Sequence, residues 1–161
     1  MKIKQLLDED FVNYKKPSMF IGTCVCDWKC CHDGGFPETV CQNNALAKSK
    51  VIDCPDDALI KRFIANDITE AIVFGGLEPF KQYDELYGFI KKLRTDYCCH
   101  DDVVIYTGYY EQEVADKIKE LSAFDNIIVK FGRYVPNRPK VFDETLGIWL
   151  VSDNQKARKI S

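Results

Sequence analysis

Hydrophobic spacing divides the chain into short apolar runs and amphipathic stretches. Residues 3–14 set Leu6, Leu7 and Phe11 on one side of an expected helix, and Lys15-Lys16-Pro17 ends it. Proline lacks the amide hydrogen needed to continue a helical ladder. Ser18-Met19-Phe20-Ile21-Gly22-Thr23 reads as a buried strand. Residues 25–50 show neither a 2-residue nor a 3.6-residue apolar period, which predicts one long loop. Such a loop inside a compact domain is uncommon and usually functional. Regularity returns at Pro55-Asp56-Asp57, a helix start followed by the stripe Leu59, Ile60, Phe63 and Ile64.

Ala71-Ile72-Val73-Phe74 has strand length and ends in Gly75-Gly76. A second amphipathic helix starts near Pro79 and buries Tyr83, Leu86, Tyr87, Ile90 and Leu93. Val103-Val104-Ile105-Tyr106 is another strand, closed by Thr107-Gly108, and Val114, Ile118 and Leu121 mark a helix over about 111–122. Residues 126–131 and 147–151 complete the strands, with the charges between 133 and 144 forming an exposed connection. Strands that are apolar throughout and alternate with amphipathic helices predict an α/β fold with a mainly parallel sheet. No repeat or flexible linker divides residues 1–161, so one domain is expected. In such sheets ligands gather at the carboxyl ends of the strands, where the unusual segments fall.

Composition narrows the function. Hydrophobic residues make up 46%, and 22 basic against 25 acidic residues leave a net charge of −3. That balance offers no footprint for nucleic acid or an anionic membrane. No apolar run approaches the length of a membrane span. The first residues turn acidic at Asp8-Glu9, too soon for a signal peptide, so a soluble cytoplasmic protein is expected.

Cysteine changes the picture most. Five of the eight cysteines, Cys24, Cys26, Cys30, Cys31 and Cys41, crowd into the expected loop, about residues 24–45. In a reducing compartment clustered cysteines hold metal or do redox chemistry more often than they form disulfides. Structural zinc commonly takes two short paired spacings, which cannot be drawn here, whereas an iron–sulfur cluster also takes thiolates. Cys54, Cys98 and Cys99 read as ordinary packed thiols, and His32 and His100 as solvated loop residues.

Four segments carry a family resemblance. Cys26-Asp27-Trp28-Lys29-Cys30 reproduces the first half of the C-x3-C-x2-C signature of radical S-adenosylmethionine (SAM) enzymes. Gly75-Gly76-Leu77-Glu78-Pro79 resembles that superfamily's G-G-E-P segment with one residue inserted. Tyr106-Thr107-Gly108-Tyr109 and the stretch from Ser152 through Asn154 and Gln155 to Ile160 resemble segments of one subgroup, the activases of anaerobic ribonucleotide reductase. The chain departs from the family where a third cysteine is due, since position 33 is Asp33. Either Cys41 follows a loop insertion, keeping C-x-N in Cys41-Gln42-Asn43, or Cys31 serves after a deletion; a start from Cys24 is a further alternate. Geometry favours Cys41, because adjacent residues rarely aim both sulfurs at neighbouring metal ions.

The resemblance implies a small open, incomplete (β/α) barrel with one long cluster-binding loop after its first strand. It implies a [4Fe–4S] cluster on Cys26, Cys30 and Cys41, with S-adenosyl-L-methionine on the fourth iron. Gly75 and Gly76 would let backbone approach the methionyl amine, Glu78 would be a polar anchor, and Thr107, Ser152 and Asn154 would contact ribose or carboxylate. The implied partners are a large glycyl-radical enzyme, the anaerobic ribonucleotide reductase, and an electron donor such as a flavodoxin or ferredoxin. Lys156, Arg158 and Lys159 read as a solvated basic terminus. Two other classes compete: a radical SAM enzyme acting on another substrate, and a non-catalytic zinc or iron–sulfur module.

Overall fold

The computed structural model describes residues 1–161. Its centre is a six-stranded sheet built on four parallel strands: β3 (Ser18–Gly22), β5 (Ala71–Gly75), β6 (Asp102–Tyr106) and β7 (Ile127–Phe131). β2 (Gln5–Asp10) lies antiparallel to β3 at one edge, and β10 (Lys156–Lys159) antiparallel to β7 at the other. Two small ladders stand apart: β1 (Lys2–Ile3) with β4 (Ile52–Asp53), and β8 (Val141–Asp143) with β9 (Ile148–Leu150). The fold is mixed α/β with a mainly parallel central sheet. No helix is long and apolar enough to cross a membrane.

Side chains alternate across a strand, and here each face has its own cover. Met19, Ile21, Ile72, Phe74, Val103, Ile105, Ile127 and Val129 point to one face. They meet α3 (Asp56–Ile64), α4 (Tyr83–Thr95) and α5 (Ala115–Leu121) through Leu59, Phe63, Leu86, Phe89, Ile118 and Leu121. Phe74 and Phe89 pack edge to face, with ring centroids 5.3 Å apart. Phe20, Val73, Val104 and Ile128 point to the opposite face and pack on Tyr14, Leu146 and Leu150. Both faces are dry, which is why these strands carry no polar alternation.

Three expectations are corrected. The segment 3–14 is not a helix: its first part forms β1 and β2, with Leu6 opposite Ile21 and Leu7 opposite Phe20, and residues 11–14 are irregular. An isolated helix of that length is marginal in water, and pairing with β3 satisfies the same backbone groups along a ladder. Residues 25–50 are not one loop: they hold α1 (Lys29–Gly34), a 3-10 turn at Glu38–Val40 and α2 (Asn44–Lys48). These elements follow β3, and each is too short to display a period. The expected last strand, 147–151, is β9 of the small hairpin, while the basic terminus supplies the sheet edge as β10. Its exposed Lys156, Arg158 and Lys159 suit an edge strand, where charge discourages pairing with another chain.

Candidate metal centre

The carboxyl ends of β3, β5, β6 and β7 surround a cleft of about 150 Å³. Into it face Cys26, Cys30, Cys31 and Cys41, together with Gly76, Glu78, Thr107, Gly108, Lys130 and Gln155. Trp28 adopts left-handed backbone (φ 56°), the sharp turn that brings the chain from Cys26 into α1. The Trp28 amide donates to Cys26 Sγ at 3.4 Å. Cys30 Sγ lies close under β6: a β-carbon on Gly108 would stand 2.7 Å from it. Cys31 is the one cysteine that is fully buried, 1% exposed, and its amide and carbonyl are held by Trp28 and Phe36. Two adjacent cysteines thus face one cleft, which the spacing argument did not anticipate. Cys24 does not line it, and its amide donates to Gln82 Oε1 at 3.0 Å.

Arg133, just past β7, fixes α1. Its guanidinium, 5% exposed, binds Asp33 Oδ2 at 2.7 Å, Glu113 Oε1 at 2.7 Å and the Gly108 carbonyl at 3.1 Å. The pair holds the Glu113 carboxyl down to about 2 and raises the Arg133 guanidinium. Tyr109, from the Thr-Gly-Tyr segment, hydrogen-bonds Asp27 between Cys26 and Cys30.

The other sequence-derived candidates separate clearly. Glu78 is buried, and both its oxygens are used: Oε1 accepts from Phe80 N (3.1 Å) and Thr107 Oγ1 (2.8 Å), Oε2 from Gly108 N (2.8 Å). Burial raises its carboxyl despite these three donors. Glu78 and Thr107 therefore join the β5 and β6 loops as a strut along the cleft wall. Gly76 lines the cleft with φ +78°, whereas Gly75 does not line it. Ser152 is fully buried away from the cleft, its hydroxyl both donating to and accepting from Val135 backbone at 3.0 Å. Asn154 also lies outside the lining and donates to the Arg133 carbonyl at 2.9 Å.

Two further polar residues of the lining, Lys130 and Gln155, are assigned no role at the site by the sequence. Lys130, 6% exposed, donates to the Gly132 carbonyl at 2.9 Å and the Thr107 carbonyl at 3.5 Å. No salt bridge neutralises it, and burial lowers its ammonium to about 8, against the pull of Cys30 and Glu78. Gln155 donates to Gly132 O at 3.3 Å, while its Oε1 is buried without any partner. An orphaned acceptor costs about 1–3 kcal/mol unless something binds it. Lys130 lies in the expected strand 126–131 and Gln155 in the C-terminal segment of the resemblance, but one sequence does not show that either is buried at the cleft.

The donor set fits an iron–sulfur cluster. Burial pushes the Cys26 thiol up to about 12 and the Cys31 thiol up to about 11, and raises Cys30. Soft thiols in a dry cleft give up their protons to metal, which replaces them with positive charge. No three His, Cys, Asp or Glu side chains converge to hold a single ion. Four thiols line the one cleft, and thiolate is the ligand that an iron–sulfur cluster takes.

Residues 18–157, most of the chain, match the family model described as a 4Fe-4S single cluster domain, which is associated with radical SAM proteins. No curated protein and no solved structure matches the chain significantly. With four cysteines facing one cleft at the sheet's carboxyl ends, the chain belongs to the 4Fe-4S single cluster domain family and is an iron–sulfur, radical-SAM-like protein.

Proposed function

We propose that Cys26, Cys30 and Cys41 hold a [4Fe–4S] cluster, that SAM binds beside it in the same cleft, and that the product is a glycyl radical on an anaerobic ribonucleotide reductase. The observation that carries this reading is one cleft holding the thiols, a buried lysine without a carboxylate partner, and an orphaned amide oxygen. When bound and reduced, the cluster and SAM together supply a 5′-deoxyadenosyl radical by cleaving the sulfonium C–S bond, chemistry that belongs to the cofactors.

The chain's own residues bind, orient and exclude water. Lys130 would present a positive charge beside the methionyl carboxylate, and the free Gln155 Oε1 would accept from an N–H of the methionyl amino group. Gly76, in left-handed backbone, lets the end of β5 pack closely under Leu46, where a β-carbon would stand 2.6 Å from Leu46 Cδ2. The Glu78–Thr107–Gly108 strut fixes the distance between the β5 and β6 loops, so Cys30 and Gly76 keep one geometry. Phe36, Leu77 and Tyr134 supply apolar wall. The cleft opens at the carboxyl ends of the strands, so we read the sheet as an incomplete barrel whose open end admits a polypeptide. A flavodoxin or ferredoxin is the class of electron donor such a cluster takes.

The test is anaerobic reconstitution with iron and sulfide, reduction in the presence of SAM, and quantitation of 5′-deoxyadenosine. The wild type is expected to form it, while Cys26→Ala and Cys41→Ala lose it by two orders of magnitude or more. A wild type that binds a cluster and never cleaves SAM overturns the enzyme reading in favour of a structural iron–sulfur module.

A further inference from the structure

The cleft holds four thiols where a cluster that leaves one iron open for SAM needs three. Cys31 is the surplus one. It follows Cys30 on α1, is 1% exposed, and its side chain faces the same cleft as Cys26, Cys30 and Cys41. Its backbone is held at both ends: the Cys31 amide donates to the Trp28 carbonyl at 2.8 Å, and its carbonyl accepts from the Phe36 amide at 3.1 Å. The Arg133–Asp33 ion pair, 2.7 Å, ties the same helix to the end of β7.

We infer that Cys31 is an exchangeable fourth ligand, binding the cluster's remaining iron until SAM takes its place. This rests on the reading that the other three thiols hold a cluster. On binding iron the Cys31 thiol releases its proton to solvent. When the amino and carboxylate groups of SAM displace it, the thiolate takes a proton back, so the exchange needs no oxidant or reductant.

The consequence is protection. A fourth thiolate adds negative charge, and net charge is one of the factors that set cluster potential. The capped form is therefore harder to reduce, and its fourth iron is retained. SAM then both binds and releases the cluster for reduction, so electrons are not accepted before the co-substrate is in place. Cys31 also acts as an internal competitor. The apparent SAM affinity equals the intrinsic affinity scaled by the uncapped fraction.

The test compares reconstituted wild type with Cys31→Ala, and with Cys31→Val to fill the buried space, in three assays. These are the [3Fe–4S] EPR signal after brief mild oxidation without SAM, the midpoint potential without SAM, and SAM affinity. The wild type is expected to keep its fourth iron, while both variants convert to the three-iron form. The variants' potentials should lie above that of the wild type, and their SAM affinity should be about tenfold tighter, as for a site capped about nine-tenths of the time. Equal conversion, potential and affinity in all three proteins overturns the inference. So does a Cys31 variant that cannot assemble a cluster while Cys41→Ala can, since Cys31 would then be an obligatory ligand. Failure of the function reading looks different: clusters form and the capping differences appear, yet no protein cleaves SAM.

Discussion

Glu78 accepts three hydrogen bonds from Phe80 N, Thr107 Oγ1 and Gly108 N, so its chemistry is largely internal. Glu78→Gln keeps one acceptor oxygen and turns an NH2 toward a donor, leaving a buried amide unpaired. We expect a loss of about 2 kcal/mol in apo-protein stability by urea titration, with Thr107→Ser near neutral. Lys130 works in the opposite sense. Its ammonium is lowered from 10.5 to about 8 by burial, a cost on the order of 3 kcal/mol at neutral pH. Between about pH 8 and 10.5 the folded state has released a proton that the unfolded chain still holds, so apo-protein stability rises with pH there. Lys130→Met should flatten that rise in thermal melts and weaken SAM binding at least tenfold. A wild type whose melts do not differ from the variant's across that window contradicts the burial argument. Strained or costly groups of this kind are expected at ligand sites.

At the scale of elements, the cysteine segment is held from outside by a clamp. Arg133 joins the end of β7 to Asp33 on α1 and to Glu113 in the turn before α5. Glu113 sits at about 2 in the folded protein against an ordinary 4.5. A depressed carboxyl stabilises above its unfolded value, and that contribution disappears as pH falls from about 4.5 toward 2. Arg133→Met is therefore expected to shallow the acid limb of the stability profile and to speed iron loss from the reconstituted protein. An unchanged acid limb in acid titrations followed by circular dichroism refutes the clamp.

The same scale explains what could be read beforehand. Strands β3, β5, β6 and β7 and helices α3 to α5 announced themselves because both sheet faces and each helix stripe are apolar. The edge strand β2 did not, since Leu6 and Leu7 sit in a charged stretch whose conformation is decided by pairing with β3. The cysteine cleft was legible in outline, as all three expected ligands and the alternate Cys31 face it. Glu78, Thr107 and Gly76 also line it, whereas Gly75, Ser152 and Asn154 stand outside, and the burial of Lys130 and Gln155 at the cleft went unread. Whether a polar side chain is buried depends on contacts made across long stretches of chain, which local spacing does not encode.

For the molecule as a whole, one sheet face is packed under helices, the other under Tyr14, Leu146 and Leu150, and a thiol-lined cleft lies at the strands' carboxyl ends. The most direct test of a cluster with SAM bound beside it is Mössbauer spectroscopy on the chain reconstituted anaerobically with 57Fe, recorded with and without SAM. The account predicts four irons per chain, with one iron changing its parameters when SAM is added and the other three unmoved. Two irons or fewer, or four irons indifferent to SAM in both the wild type and Cys31→Ala, would contradict it.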